Sequence, residues 1–76
     1  MPELPTVNAR ETLAALRRLG FEPTRQTGSH IICVHPPTGR RAVIPSHGGK
    51  DITTATLRRL LKEAQVEAAE FITALR

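Results

Sequence analysis

Aromatic residues are nearly missing from this chain. It has no Trp, no Tyr and two Phe in 76 residues. A core built on large rings is therefore excluded, and Leu, Ile, Val and Ala must fill it. Cysteine is as scarce. Cys33 stands alone, which excludes an intrachain disulfide and suits a reducing cytoplasm. There is no run of about 18 apolar residues to span a bilayer. There is no charged-then-apolar leader either, so neither secretion nor a membrane span is expected. The length allows one domain, taken as residues 1–76. A domain of this size buries only about 60% of its unfolded surface. Acidic residues are the minority: seven Asp and Glu face eleven Lys and Arg, for a formal charge of +4. Nine of the eleven are Arg, and guanidinium favours bidentate contacts to phosphate. The same excess also serves ordinary solubility, so charge alone selects no partner.

What is present is a short series of patterned segments. Residues 1–6 hold two prolines and no period, and read as an extended lead-in. Asn8 followed by Glu11 has capping-box spacing. Ala9, Leu13, Leu16 and Leu19 recur at helical intervals up to Gly20, a natural stop, so a helix is expected over Asn8 to Leu19. Phe21 to Thr27 contains Pro23, which cannot donate to a ladder. It should be an edge strand or begin late. Gly28-Ser29 is a turn, and His30 to His35 is a β-prone run. Pro36 to Gly39 is a tight connection, and Arg40 to Ile44 is a third strand stopped by Pro45. Short loops make this meander antiparallel. Ser46 to Ile52 reads as a polar loop. Thr53 or Thr54 can cap a helix with Leu57, Leu60, Leu61 and Ala64 as its apolar stripe. Ala68 to Leu75 is a short last helix with Phe71, Ile72 and Leu75 inward.

The order is α-β-β-β-α plus a short extra C-terminal helix. The fold class is α+β, a three-stranded antiparallel sheet with helices on one face. The double-stranded-RNA-binding domain (dsRBD) has this layout, as do many small α+β folds.

Gly28-Ser29-His30 holds the chemistry. It fixes an imidazole at a strand start beside a permissive glycine and a hydroxyl. Gly28 lets the backbone approach a phosphate, and the Ser29 amide and hydroxyl can donate to it. Arg25, before the turn, and Lys50, after a double glycine, are further candidate phosphate ligands. His47 is a lesser candidate in the loop after the third strand. The bland alternatives are a strand-end histidine bonded to a carbonyl and solvated surface charge. A metal site is disfavoured by strand alternation: His30, Ile32 and Val34 point to one face, and Ile31, Cys33 and His35 to the other. Cys33 reads as a small buried hydrophobe. Gly48-Gly49-Lys50 fails as a phosphate loop, because Asp51 replaces the required Ser or Thr and Ile44 the first Gly.

The chain resembles the HicA (YcfA-like) toxins, small bacterial mRNA interferases of toxin–antitoxin pairs. The likeness runs through Leu16-Arg17-Arg18-Leu19-Gly20-Phe21, Arg25 to His30, His35-Pro36, Val43 to His47, Thr56-Leu57-Arg58 and Glu70-Phe71-Ile72. The resemblance implies a dsRBD-like fold, ribonuclease activity without a metal or other cofactor, and catalysis by His30. It also implies neutralisation by a HicB-type antitoxin. Two positions depart from the family's pattern: Ala55 and Gln65 stand where glycine is usual. Gln accepts the left-handed conformation less readily than Gly.

RNA can be cut without a metal because its 2′-hydroxyl is an internal nucleophile. Histidine as a residue type titrates near neutrality and can move the protons involved. Two rivals stand beside this reading. One is a non-catalytic RNA-binding module of the same fold; a dsRBD reads A-form RNA by shape over about 16 base pairs. The start of the second helix, Thr53 to Thr56, lacks the basic cluster such a module needs. The other is a degenerate toxin kept as an antitoxin ligand. The central strand is apolar on both faces, while helices cover only one. An antitoxin, a second copy, or Leu4 and Val7 of the N-terminal segment would cover the other.

Overall fold

A computed structural model describes residues 3–76. The element order is β1 (Val7–Asn8), α1 (Ala9–Arg18), β2 (Glu22–Thr27), β3 (His30–His35), β4 (Arg40–Pro45), β5 (Asp51–Ile52), α2 (Thr54–Glu63) and α3 (Ala68–Leu75). Residues 1 and 2 of the expected lead-in lie outside the described residues.

The capping box forms as its spacing requires. Glu11 N donates to Asn8 Oδ1 at 2.8 Å, and Asn8 N donates to Glu11 Oε1 at 3.0 Å. The apolar face of α1 buries Ala9, Ala15 and Leu16. Thr12 is buried with them and donates its hydroxyl to Asn8 O at 2.9 Å, so no polar atom is stranded. Gly20 ends the helix at φ +96°. Phe21 N donates to Leu16 O at 2.9 Å and Gly20 N to Arg17 O at 3.0 Å, the paired bonds of a Schellman motif. A Cβ on Gly20 would meet the His35 ring at 3.0 Å, so space as well as φ demands glycine.

The α2 helix ends the same way without a glycine. Gln65 takes φ +57°. Val66 N donates to Leu61 O at 2.9 Å and Gln65 N to Lys62 O at 3.1 Å. The break before α3 is therefore made in spite of the missing glycine. Ala55, the other departure, is an exposed residue in the first turn of α2, where no positive φ is needed.

The sheet order is β2-β3-β4, antiparallel throughout. Pairing is Thr27 with His30 across the first turn and His35 with Arg40 across the second. β2 is the edge strand that Pro23 predicts, and its register shifts between Pro23 and Arg25. β4 runs one residue further than expected, since Pro45 still pairs with His30. The expected polar loop is corrected too. Its last two residues form β5, where Val7 pairs with Ile52 and Asn8 with Asp51. A two-residue strand has no period from which to be read.

Cys33 and Ala42 pair on the helix side and are buried, as are Ile44 and, in part, Ile31. The opposite face carries His30, Ile32, Val34 and Val43, none of them fully buried. Leu4 and Val7 are buried, Val7 pairing with Ile52, while Ile32, Val34 and Val43 on that face stay partly exposed. Residues 5–7 line a crevice with Glu11, Ala14 and Arg18 of α1 and Ile72 and Leu75 of α3. The α3 helix is anchored by fully buried Phe71 and by Arg18, whose Nη1 donates to Ala74 O at 2.6 Å. The α2 helix packs against β4 and gives that edge of the sheet a wall.

Two predictions follow from the packing. A side chain in the left-handed region costs about 1–3 kcal/mol, and glycine returns roughly 0.4–1 kcal/mol of that to the unfolded chain. Gln65→Gly is therefore expected to stabilise by about 1 kcal/mol, read as a Tm rise of about 4–8 °C; an unchanged Tm would refute it. Burial pushes the Cys33 thiol above its ordinary pKa, against the pull of Arg17. The unfolded thiol then loses its proton first as pH rises. The stabilising contribution is complete below the ordinary thiol pKa and fades as pH climbs through the raised one. Urea midpoints should fall over that alkaline range, and Cys33→Ala should remove this component.

Candidate functional site

The turn between β2 and β3 is two residues long, Gly28-Ser29. Its first position takes φ +52°, which glycine supplies without strain. A Cβ there would meet nothing within 4 Å, so conformation, not space, asks for glycine. The turn delivers His30 as the first residue of β3, exposed to solvent.

Beyond Pro45 the chain stays against β3 for one more step. Ser46 N donates to Ser29 O at 2.5 Å. That bond carries His47 to the side of His30. The two rings lie 6.2 Å apart between centroids, edge-on at 77°. His47 carries little weight in the sequence, yet its ring is brought beside the motif's imidazole. A signal for it was there. The tight connection Pro36 to Gly39 sets the hairpin register, and each step back along β3 is one step forward along β4. Carried past Pro45, that register sets His47 beside the turn that precedes His30.

Two adjoining grooves share Pro45 and Thr56. The first, about 340 Å³, is lined by His30, Val43, Arg59 and Glu63 among others. The second, about 260 Å³, is lined by His47, Lys50, Asp51 and Thr53 among others. Beside its imidazole, each groove thus holds one cationic and one acidic side chain. The N-terminus of α2 borders the second. Thr53 caps it, its Oγ1 accepting from Thr56 N at 3.2 Å, and no acidic residue lies in that first turn. Its partial positive charge is left unneutralised by the helix itself.

The predicted phosphate contacts are distributed unevenly. Lys50 lines the groove of His47, and its backbone N–H donates to His47 O at 3.0 Å. Arg25 pairs with Ile32 on the same sheet face as His30 but lines neither groove. Ser29 is half-buried, and its carbonyl is taken by Ser46. His35 stands at the far end of β3 on the helix face. Its Nδ1 is bonded to Thr38 Oγ1 at 2.7 Å and its ring packs on Phe21, a structural role. Cys33 is buried beneath the sheet while His30 is exposed above it, so the two share no ligand. Among the described residues no three His, Cys, Asp or Glu side chains gather to hold a metal ion. What the edge presents is a pair of exposed imidazoles at the mouth of a shallow, mixed-charge groove.

No curated protein matches the chain. A model of the family described as HicA toxin of bacterial toxin-antitoxin matches residues 9–66. The matched stretch takes in α1, the three-stranded sheet, the Gly28-Ser29-His30 turn, His47 and α2, and on that match the chain belongs to the HicA family of toxins from bacterial toxin–antitoxin systems.

Proposed function

We propose that this toxin is a metal-independent endoribonuclease that cleaves mRNA in the cytoplasm, with His30 as a general acid or base. The observation that carries the reading is the exposed His30 imidazole at a groove mouth in a chain of the HicA family. The 2′-hydroxyl of RNA supplies the nucleophile, so the protein needs only to orient a phosphodiester and move protons. One positioned acid–base group gives about 10²–10⁴-fold, modest for an enzyme and enough for a toxin that need not be fast. Gly28 and Ser29 would receive the phosphate at the turn. Lys50 would hold it from the neighbouring groove, and Arg25 would meet the strand where it runs on across the sheet. The helix end at Thr53 adds a further attraction for an anion.

Neutralisation falls to a HicB-type antitoxin. The open face supports this: Ile32, Val34 and Val43 are half-buried on it, with Arg25 and Arg41 beside them. A protein seated there would cover apolar surface and close access to His30 together. The rival, an RNA-binding module without cleavage, has the layout and the net charge in its favour. It lacks a basic cluster at the start of α2, where no Lys or Arg occurs before Arg58.

The test is cleavage of mRNA by the purified chain, wild type and His30→Ala, with and without EDTA and the antitoxin. His30→Ala is expected to slow cleavage by about 10²–10⁴-fold. Because His30 is exposed, its stability should change by less than about 0.5 kcal/mol. EDTA should have no effect, and the antitoxin should stop the wild type. Equal cleavage by both forms would remove His30 from the mechanism. RNA binding with no cleavage by either would favour the module.

A further inference from the structure

We propose, on the ribonuclease reading above, that His47 is the second proton-transfer residue of this site, acting across one phosphodiester from His30. The reaction demands two transfers. As the 2′-oxygen bonds to phosphorus it gives up a proton, and as the P–O5′ bond breaks the 5′-oxygen gains one. The products are a 2′,3′-cyclic phosphate and a 5′-hydroxyl, and the atoms balance without any added reactant. In an in-line displacement the two oxygens lie on opposite sides of phosphorus. One imidazole cannot serve both at the same moment.

An acid and a base that each reach about 2.6–3.2 Å to their own oxygen must stand apart by the width of the phosphate between them. The ring centroids of His30 and His47 are 6.2 Å apart. A simple edge-to-face ring contact spans the same range, about 4.5–7 Å. Burial distinguishes the two cases. Both rings are exposed, so no hydrophobic gain draws them together. What holds them is backbone: the pairing of His30 with Pro45, then the bond from Ser46 N to Ser29 O. The charged side chains lining their grooves are Arg59 and Glu63 on the His30 side and Lys50 and Asp51 on the His47 side, and all four are exposed.

The experiment uses the full chain, free of antitoxin, and an RNA oligonucleotide containing a linkage that the wild type cuts. His47→Gln is expected to slow cleavage by about 10²-fold or more, with unchanged Tm and RNA affinity. The wild-type pH–rate profile should be bell-shaped, and His47→Gln should lose one limb. A second substrate replaces the leaving 5′-oxygen with sulfur, which departs as a thiolate and needs no proton. One of His30→Gln and His47→Gln, whichever lacks the acid, should recover on it, and the other should not. Cleavage by His47→Gln within a few-fold of wild type, with both limbs kept, would overturn the proposal and leave the His30 reading intact. So would a slow His47→Gln that keeps both limbs while neither variant recovers on the sulfur substrate. A wild-type chain that cuts no RNA would overturn the ribonuclease reading and this inference with it.

Discussion

The pairing of β3 with β4 carries the candidate site. Six residues of each strand meet rung by rung from His30–Pro45 to His35–Arg40. That register decides which side chains enter the core. Cys33 and Ala42 go in together, as do Ile44 and, in part, its partner Ile31, while His30 stays out and Pro45 is only half-buried. A slip by one residue would exchange the two sets. It would bury an imidazole and expose Ile44, so the hydrophobic cost of losing the core also guards the position of His30. The connection at the other end holds the register from its side. Gly39 N and Thr38 N both donate to His35 O, and Arg40 N donates to the Thr38 hydroxyl.

The helices complete the site by closing its edge. The α2 helix is held against β4 by Leu57, Leu60 and Leu61, all buried. Their period leaves Thr56, Arg59 and Glu63 beside the sheet edge, where they become the far wall of the His30 groove. The helix ends at Glu63, and the chain turns at Gln65. A strained left-handed residue there turns the chain into α3, and Arg40 reaches the same turn, its Nη1 donating to Gln65 O at 3.4 Å. Sheet and helix end are thus tied at one corner and separated by the groove at the other.

Much of this was legible in the sequence where a period is long enough to read. The helix α1 matches its capping box and its glycine stop, and β3 and α3 match their apolar runs residue for residue. The Gly28-Ser29-His30 turn was legible because glycine at a two-residue hairpin has a specific conformational cause. The β1–β5 pair was not, since two residues carry no pattern and their pairing spans most of the chain. The nearness of His47 to His30 was hard to read for a related reason. Its neighbours are a proline and two glycines, which announce a loop, and only the register of β3 with β4 shows where that loop must begin. Arg25 was read only as lying before the turn; its pairing with Ile32 sets it on the face of His30 but outside both grooves, and nearness in sequence to a turn says nothing of distance across the sheet.

The division of labour between the two ends of the chain is also physical. Every residue of the candidate site lies within the stretch that matches the HicA family, residues 9–66. The α3 helix lies beyond it. Phe71 and Ala74 are buried there, and Arg18 on α1 donates to Ala74 O near the end of α3 and to Arg76 O just past it. Both Phe of the chain are buried in the aliphatic core, and α3 brings the second. The imidazole pair contributes nothing comparable, because it is exposed. The exposed side chains at the groove are therefore free of packing demands, while the residues that fix their positions, the β3–β4 ladder and the helix ends, serve stability. That separation explains why two imidazoles can be held 6.2 Å apart by a domain too small to spend core volume on supporting them: the ladder places the backbone of His30, the Ser46 N to Ser29 O bond just beyond it places that of His47, and the ladder is needed for folding in any case.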